Sequence, residues 1–442
     1  MRIALAAMSG IRAHDEELLR LGLTLPGFVE RSKVIASLPS LGLLTLAGMT
    51  PEKHEVAYFE VDDIKELTEL PGGFDLVAIS SFSAQMNEAY ELSDRYRALG
   101  VPTVLGGLHV TALPEEAALH ADAVVVGEGE LSWPALVADC EAGRLKERYG
   151  TVDHDFDLDQ APMPAFELLD ISKYNRLTVQ TCRGCPHSCE FCASSRLLSR
   201  RYKRKPVAKV LAEIDRICSL WQHPFIEFAD DNSLIGGAYW RELLPELKKR
   251  RIRWFTETDL SVSEDPSLLR LMRESGCAQV LIGLESPVDG DLDGLERTAN
   301  WKKKQWPRYL EAIDAIQSEG ITVNGCFVLG LDSHGTEIFD EVDRFVTRSG
   351  LYDVQITVET PFPGSPLRRR LGEEDRLLDT DGWRKCTLFD VIHRPKKMSV
   401  AELARGLREL GVRIYSEERV RERRELFKRR WRAARRAGRM RT

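Results

Sequence analysis

The chain has 442 residues and a formal net charge of −7; 43% of its residues are hydrophobic and 30% are charged. This composition is typical of a folded, soluble protein of two or three domains, and it excludes a disordered chain. The modest negative charge argues against a nucleic-acid carrier, and no run of eighteen apolar residues predicts a membrane span. We therefore expect a globular protein with no nucleic-acid partner and no transmembrane segment.

The first third of the chain alternates between short apolar runs and amphipathic stretches. Buried strands are predicted at residues 2–7, 56–61, 76–80, 103–107 and 123–127, and helices at 38–48 and 87–99. Strand and helix in alternation predict a Rossmann-like, doubly wound parallel sheet, which we assign to residues 1–145. Such sheets bind their ligands outside the carboxyl ends of the strands.

Small and polar residues cluster at the carboxyl ends of three of these strands. They are Ser80, Ser83, Gly106, Gly107, His109, Gly127 and Glu128. Glycine at a strand end lets the backbone approach a bulky ligand or turn sharply. We therefore expect a ligand at this edge, although His109 is equally well explained as an ordinary loop histidine.

The rest of the chain predicts a second α/β domain. Residues 146–175 are acidic, proline-spaced and aperiodic, which predicts an ordered linker. Strands are predicted at 176–180, 225–229, 253–258, 279–284, 322–329 and 353–359, and helices at 207–220, 239–250, 266–275, 306–319 and 337–349. Six strands with five intervening helices predict a partial parallel (β/α)6 barrel, which we assign to residues 176–395. Residues 396–442 predict a helical, strongly basic end.

Four cysteines lie within twelve residues at the start of the second domain. Cys185, Cys189 and Cys192 have the spacing Cys-x3-Cys-x2-Cys, and Cys182 precedes them. One tight loop with this spacing brings three thiolates to one face of a metal cluster and leaves one iron open for a small molecule. A zinc knuckle would need a second cysteine pair downstream, and disulfides fit poorly with a chain that begins as a buried strand without a signal peptide. We predict an iron-sulfur cluster in a cytoplasmic protein.

The cysteine motif resembles the signature of a known enzyme family. With Phe191 before its last cysteine and Arg183-Gly184-Cys185-Pro186 at its start, it is similar to radical S-adenosylmethionine (SAM) enzymes that carry an N-terminal cobalamin-binding-like domain. Segments 39–43, 106–116 and 127–130 resemble that domain. The resemblance implies a 4Fe-4S cluster, SAM and cobalamin as cofactors. It also implies reductive cleavage of SAM to a 5'-deoxyadenosyl radical, hydrogen abstraction from a small-molecule substrate, and an external low-potential electron donor of the flavodoxin or ferredoxin type.

Polar residues at the carboxyl ends of the predicted barrel strands extend this resemblance. They are Asp230, Asp231, Glu257, Gly283, Glu285, Ser286, Asn324, Pro361 and Gly364. We assign them, together with Phe191, as candidate cofactor contacts, since active groups of such barrels collect at this end. For Asp231 a helix cap is nearly as good an explanation. Cys277 and Cys326 are predicted to be buried thiols and not ligands.

The sequence leaves more than one function open. The Asp-x-His-x-x-Gly motif, whose histidine binds cobalt in many cobalamin proteins, is absent. If cobalamin is bound, the expected reaction is methylation of a carbon atom. If it is not, the N-terminal domain is vestigial and the radical reaction is a dehydration, cyclisation, rearrangement or group transfer. A non-catalytic metal-binding module is the alternative of another class, and the retained SAM-facing segments argue against it.

Basic residues concentrate in three segments. Residues 199–205 and 301–304 would form a rim that favours a phosphorylated or carboxylated substrate. The basic C-terminal helix is able to contact an anionic membrane surface. A charge run is more often a solvated face, however, and Leu426, Phe427 and Trp431 predict that this helix docks onto the body.

Overall fold

The computed structural model describes residues 1–9, 30, 31, 34, 35, 38–193, 197, 199, 201–378, 382–436 and 438. Within these residues the chain forms two six-stranded sheets. The strands of the first sheet are β1 (Arg2–Met8), β2 (Glu55–Val61), β3 (Leu76–Ser80), β4 (Thr103–Gly106), β5 (Ala123–Val126) and β6 (Arg148–Gly150). The strands of the second sheet are β7 (Leu177–Val179), β8 (Phe225–Ser233), β9 (Arg253–Thr258), β10 (Cys277–Glu285), β11 (Thr322–Leu329) and β12 (Asp353–Val358).

The first sheet is parallel and covered on both faces. Its strand order is β2-β1-β3-β4-β5-β6. Alternate residues of β1 belong to two separate apolar clusters, with Ile3 and Leu5 in one and Ala4 and Ala6 in the other. The helices over these faces are α1 (Leu41–Met49), α2 (Met86–Ala98), α3 (Leu108–Ala112), α4 (Pro114–Ala117) and α5 (Trp133–Glu141). The predicted doubly wound sheet is confirmed.

The second sheet is also parallel, and its strands follow one another in chain order from β7 to β12. On β10, Val280, Ile282 and Leu284 are fully buried and belong to the main apolar core. The residues between them face the inside of the curved sheet. The helices of this domain are α6 (Val207–Leu220), α7 (Ala238–Arg250), α8 (Pro266–Glu274), α9 (Trp301–Gln305), α10 (Tyr309–Ser318) and α11 (Ile338–Ser349). The short α9 lies at the carboxyl end of β10, where Lys302 donates to Gly283, and the others cover the outside. The predicted partial barrel is confirmed.

Two segments differ from the prediction. Residues 148–150, which lie in the predicted linker, form the edge strand β6, and the Tyr149 hydroxyl donates to Asp139 at 3.0 Å. Strand β8 continues to Ser233, four residues past its predicted end, because Ser233 pairs with Thr258 of β9 after a shift of register that follows Phe228. Three residues are too few to show strand periodicity, and the end of β8 is held by tertiary contacts.

The C-terminal region packs against the barrel. Its helices are α12 (Pro366–Glu373), α13 (Val400–Tyr415) and α14 (Glu417–Arg436). On α14 the Phe427 ring lies 5.1 Å from that of Tyr352, and it stacks on Trp431, which covers Gly320. The predicted docking of this helix is therefore observed. Across the described part of the chain, no helix combines the length and apolar character that a membrane crossing requires.

Candidate active site between the two sheets

A cavity of about 540 Å³ lies where the carboxyl ends of the two sheets face each other. Its N-terminal wall is largely apolar and glycine-rich, and its barrel wall is acidic. The first wall includes Leu41, Leu43, Leu46, Ile79, Ser80, Phe82, Gly106, Gly107 and Gly127. The second wall includes Glu227, Asp230, Asp231 and Glu257. Carboxyl ends of parallel strands are where such sheets place their ligands, so the cavity is the candidate active site.

Two glycines of the N-terminal wall have backbones that other residues rarely adopt. Gly107 has φ of +111°, and a Cβ there would lie 3.3 Å from the Ser80 hydroxyl. Gly127 has φ of +83°, and its Cβ would lie 2.5 Å from the Thr151 carbonyl oxygen. Both are glycine because the chain must turn sharply between a strand end and the next element.

Ser83 and His109 do not line the cavity. The Nδ1 atom of His109 lies 3.0 Å from the Ser83 hydroxyl, and its ring packs edge-on against Trp383 at 4.8 Å. Burial lowers the pKa of His109 to about 4, so the ring is neutral. The structure therefore places this histidine among aromatic neighbours on the far side of α3.

Glu128 and Glu130 tie the first sheet to the cysteine loop. The Glu128 carboxylate is buried and accepts from Arg183 and, at 2.8 Å, from Lys203 Nζ. Arg183 also donates from Nη2 to Glu130 at 2.7 Å. Although burial raises the pKa of Glu130, the Arg183 guanidinium holds it below its usual value. Glu128 is thus engaged by protein cations even though it lines the cavity.

The first half of the cysteine loop is held by two aspartates of β8. The Asp230 carboxylate is buried and accepts from the backbone amides of Thr181 at 2.8 Å and Cys182 at 3.0 Å. Asp231 accepts from the amide of Gly184 at 2.9 Å. Burial raises the pKa of Asp230, and these hydrogen bonds oppose that rise. The two carboxylates therefore position the chain that enters the loop.

The second half of the loop is held by Glu296, which the sequence analysis missed. Its carboxylate accepts from the amides of Ser188 at 3.0 Å and Ala299 at 2.7 Å. Glu190 of the loop is paired with the Arg370 guanidinium at 2.8 and 3.0 Å. No local pattern marks Glu296, because its partner Ser188 is 108 residues away in sequence.

The three motif cysteines share one small volume. Burial, together with the neighbouring thiols, raises the pKa of Cys185 to about 11 and that of Cys189 to about 12. Asn232 directs Nδ2 at Cys185 Sγ from 3.8 Å. Cys182 differs, since it is 1% exposed and its thiol points at the Asn232 carbonyl oxygen 3.7 Å away.

These thiols fit an iron-sulfur cluster with three protein ligands. Within the described residues, no three metal-ligating side chains converge on a single metal ion. A cubane cluster takes its thiolates on different iron atoms, so convergence on one point is not required. The loop provides three adjacent thiols and a hydrogen-bond donor to one sulfur, which is a recognised means of tuning such clusters.

The end of β10 places a buried ion pair beside the loop. Lys302 Nζ lies 2.8 Å from Glu285 Oε1 and donates to the Gly283 carbonyl oxygen at 2.7 Å. Glu285 has φ of +63°, a conformation that costs energy in a residue with a Cβ and that clusters at functional sites. Burial lowers the pKa of Lys302, but Glu285 and Cys189 raise it above its usual value, so the ammonium is charged. Ser286, also predicted, donates to Asp291 at 2.7 Å.

The remaining candidate residues are dispersed. Asn324 lies inside the barrel, and Glu257 lines the cavity. Phe191 packs, partly buried, against the barrel core. Pro361 and Gly364 lie outside the cavity; a Cβ at Gly364, whose φ is +77°, would meet Leu197 at 2.8 Å.

Comparison with known proteins identifies two family models in this chain. The B12 binding domain model matches residues 31–137. The Radical SAM superfamily model matches residues 179–346. The first match covers the glycine-rich wall of the cavity, and the second covers the cysteine loop and strands β8 to β11.

Curated relatives match along most of the chain. Bacteriochlorophyllide d C-8(2)-methyltransferase of Chlorobaculum tepidum is 28% identical over 367 residues, which cover 80% of each protein. Hopanoid C-2 methylase of Rhodopseudomonas palustris is 28% identical over 358 residues, which cover 79% of this chain and 67% of the relative.

Solved structures share the fold. One is TsrM, a radical SAM methyltransferase from Kitasatospora setae with cobalamin and a 4Fe-4S cluster bound. It superposes on this chain with a TM-score of 0.62 and 15% sequence identity. The superposition covers 84% of this chain and 75% of TsrM. OxsB, a cobalamin-dependent radical SAM enzyme with aqua-cobalamin bound, gives a TM-score of 0.66 and 16% identity, covering 91% of this chain and 65% of OxsB. At 15% and 16% sequence identity, these comparisons show a shared fold and nothing more.

Proposed function

Since the chain belongs to the radical SAM enzymes that carry an N-terminal cobalamin-binding domain, we propose that it is a methyltransferase that uses cobalamin to methylate a carbon atom of a small molecule. The observation that carries this proposal is the single cavity bounded by both sheets. A methyl donor on one wall and a radical generator on the other would face the same substrate there.

The residues present fit the three cofactors that the family implies. Cys185, Cys189 and Cys192 would hold the cluster. The end of β8 and the end of β10, with Asp231 and Glu285, would hold SAM beside it. The apolar face of α1 and the glycines of β4 and β5 would receive the corrin, and none of the described cavity-lining residues is a histidine. When bound, these groups supply an electron, a hydrogen-abstracting radical and a methyl group.

The chain's own residues orient these groups and keep charges in place. Asp230, Asp231 and Glu296 fix the cysteine loop through backbone amides. Lys302 keeps a positive charge near Cys189, which favours its thiolate, whereas Glu285 of the same pair opposes this effect. Such fixed charges need no reorganisation during the reaction, and orientation in a closed cavity is the protein's share of cofactor chemistry.

A radical SAM enzyme also needs a reductant and a small-molecule substrate. We assign the reductant to an external low-potential flavodoxin or ferredoxin. All nine cysteines are free thiols, which is consistent with a reducing compartment, and we therefore place the enzyme in the cytoplasm.

Cofactor content tests the proposal directly. The protein is purified without oxygen, reconstituted with iron, sulfide and hydroxocobalamin, and supplied with SAM carrying a deuterated methyl group and a reductant. We expect about four irons per chain, cobalt near one per chain, and release of 5'-deoxyadenosine. In a metabolite extract we expect a product that carries the deuterated methyl.

The other outcomes are equally informative. Iron and 5'-deoxyadenosine without cobalt would overturn the methyltransferase proposal and favour a cobalamin-free radical reaction. Loss of iron binding would contradict the assignment of the three cysteines.

A further inference from the structure

The charged side chains that line the cavity do not all have a partner of opposite charge. Its two cations, Arg183 and Lys205, are each paired with buried glutamates. Glu227 of the acidic wall is paired with Arg176. Glu257, by contrast, forms no ion pair and no side-chain hydrogen bond that the structure records within its described residues. Asp230 and Asp231 are held by backbone amides. The cavity therefore contains one carboxyl group, that of Glu257, for which the described residues supply neither a countercharge nor a hydrogen-bond donor.

The groups around Glu257 also disfavour its negative charge. Although the Glu257 side chain is open to the cavity, burial among protein atoms, together with the like charges of Glu227, Asp231 and Asp230, raises its pKa to about 8. The groups that shift its pKa all disfavour the carboxylate form, so a cation bound beside Glu257 would stabilise that form and would meet no competing cation.

A second polar group on the barrel interior is also without a partner. Asn324 is fully buried, and neither Oδ1 nor Nδ2 finds a hydrogen-bond partner in the described structure. It pairs in register with Leu281, which in turn pairs with Glu257. The two side chains thus lie in one layer of the barrel, on either side of Leu281. A buried amide left unsatisfied costs about 1–3 kcal/mol, which a ligand or ordered water would remove.

The position of Cys326 indicates that Glu257 and Asn324 face the same interior of the barrel. It lies two residues after Asn324 on the same face of β11, where strand residues alternate. Burial raises its pKa well above the usual value, and the charges of Glu285 and Glu257 add to this. The acidic end of the cavity therefore continues from Glu257 towards Asn324.

We propose that this acidic end binds a protonated nitrogen of a small molecule, with Glu257 as its carboxylate partner and Asn324 as a second hydrogen-bonding group. The inference rests on the proposed function, since it concerns the same cavity. The nitrogen belongs to the substrate; if Glu257 instead holds the amino group of SAM, the inference is overturned, and the measurements below separate the two.

The basic segments do not compensate the acidic end. Lys203 is bound to Glu128, Lys302 is paired with Glu285 at 2.8 Å, and Lys303 with Asp293 at 3.1 Å. The basic rim predicted from the sequence is therefore wrong for these lysines, and Arg200 lies outside the described residues. The unpaired carboxyl group of Glu257 favours a cationic substrate over a phosphorylated or carboxylated one.

Three probes that share a phenyl ring test the proposal on the reconstituted holoenzyme. Phenethylamine is cationic, 2-phenylethanol is neutral and 3-phenylpropionate is anionic. Their binding is measured at neutral pH by calorimetry or saturation-transfer NMR, with and without SAM, and the affinity for SAM is measured separately. The variants are Glu257→Gln, which keeps the shape, Asn324→Leu, which keeps the volume, and the control Glu311→Gln on the exposed face of α10. Iron and cobalt contents report that the variants are intact.

If the substrate supplies the nitrogen, the amine probe binds the SAM-loaded enzyme at least about ten-fold more tightly than the other two, as one charge-assisted hydrogen bond allows. Glu257→Gln removes this preference, Asn324→Leu weakens it, and Glu311→Gln leaves it unchanged. If Glu257 instead holds the amino group of SAM, Glu257→Gln weakens SAM binding about ten-fold and the amine probe shows no preference, which overturns the inference.

Equal binding of the three probes together with unchanged SAM affinity in Glu257→Gln would overturn the inference. The wild-type preference alone decides the substrate case even if a variant fails to fold. Failure of the inference with normal cobalt, iron and 5'-deoxyadenosine would leave the proposed function standing, whereas loss of those readouts in the wild type would count against the function.

Discussion

Arg183, two residues before the first motif cysteine, donates from Nη2 to Oε1 of Glu130, a residue just beyond the carboxyl end of β5, at 2.7 Å. The pair joins the cysteine loop to the first sheet, and both side chains are largely buried, with 16% and 10% exposed. The loop that would hold the cluster is therefore positioned partly by the sheet that would hold the corrin.

Removing one partner of this pair should destabilise the protein. We expect Glu130→Gln to lower the free energy of unfolding by about 1–3 kcal/mol, because a largely buried guanidinium loses one charge-assisted hydrogen bond but keeps its pair with Glu128. Denaturant unfolding measures this. Glu115→Gln is the matched control: its pair with Arg148 is exposed and should be worth less than about 1 kcal/mol. Equal effects of the two substitutions would show that the buried pair has no special role.

Substitutions should distinguish the three motif cysteines from the neighbouring Cys182. Alanine at Cys185, Cys189 or Cys192 is expected to abolish the reconstituted iron-sulfur absorbance and the release of 5'-deoxyadenosine. Cys182→Ala should retain about four irons per chain, because its thiol is buried and points at a backbone carbonyl. Loss of iron in Cys182→Ala, with the fold intact, would make this cysteine a ligand.

Local patterns in the sequence were sufficient to predict the two sheets and the cysteine loop. Strand and helix periodicity depends on neighbouring residues, so β3, β9 and β11 begin and end where predicted. The spacing of three thiols is also local. The order of the strands then follows from the parallel alternation.

Long-range partners could not be predicted in this way. Glu296 binds Ser188 across 108 residues, and only the folded chain brings them together. Lys302 belongs to a run that looks like solvated surface, but the end of β10 buries it against Glu285. The orientation of His109 depends on how α3 packs, which a single sequence does not specify. These are tertiary effects that override local signals.

The glycine-lined wall of the cavity offers a test of corrin binding that spares the fold. Gly42 lines the cavity, and a Cβ built on it meets no atom within 4 Å. We expect Gly42→Phe to project into the cavity and to reduce bound cobalt several-fold while iron content is unchanged. Gly72→Phe is the control, since a Cβ there also meets nothing within 4 Å but the residue lies outside the cavity. The cobalt and iron contents measured after reconstitution test this prediction. Full cobalt binding by Gly42→Phe would mean that the corrin binds elsewhere.

Glu359, directly after β12, should make stability fall as the pH rises. Burial, with the like charges of Asp332 and Glu190, raises its pKa to about 8, compared with about 4.3 in an unfolded chain. A carboxyl whose pKa is raised on folding stabilises the folded state most at pH values below the unfolded pKa, and this contribution is lost as the pH rises to the folded pKa. We therefore expect the free energy of unfolding of Glu359→Gln, relative to the wild type, to increase between pH 5 and pH 8 by on the order of 2 kcal/mol and then to level off. Denaturant unfolding across this range measures the difference, with Glu311→Gln, an exposed glutamate, as the control. A difference that does not vary with pH would mean that Glu359 is ionised throughout and has a countercharge in the folded protein.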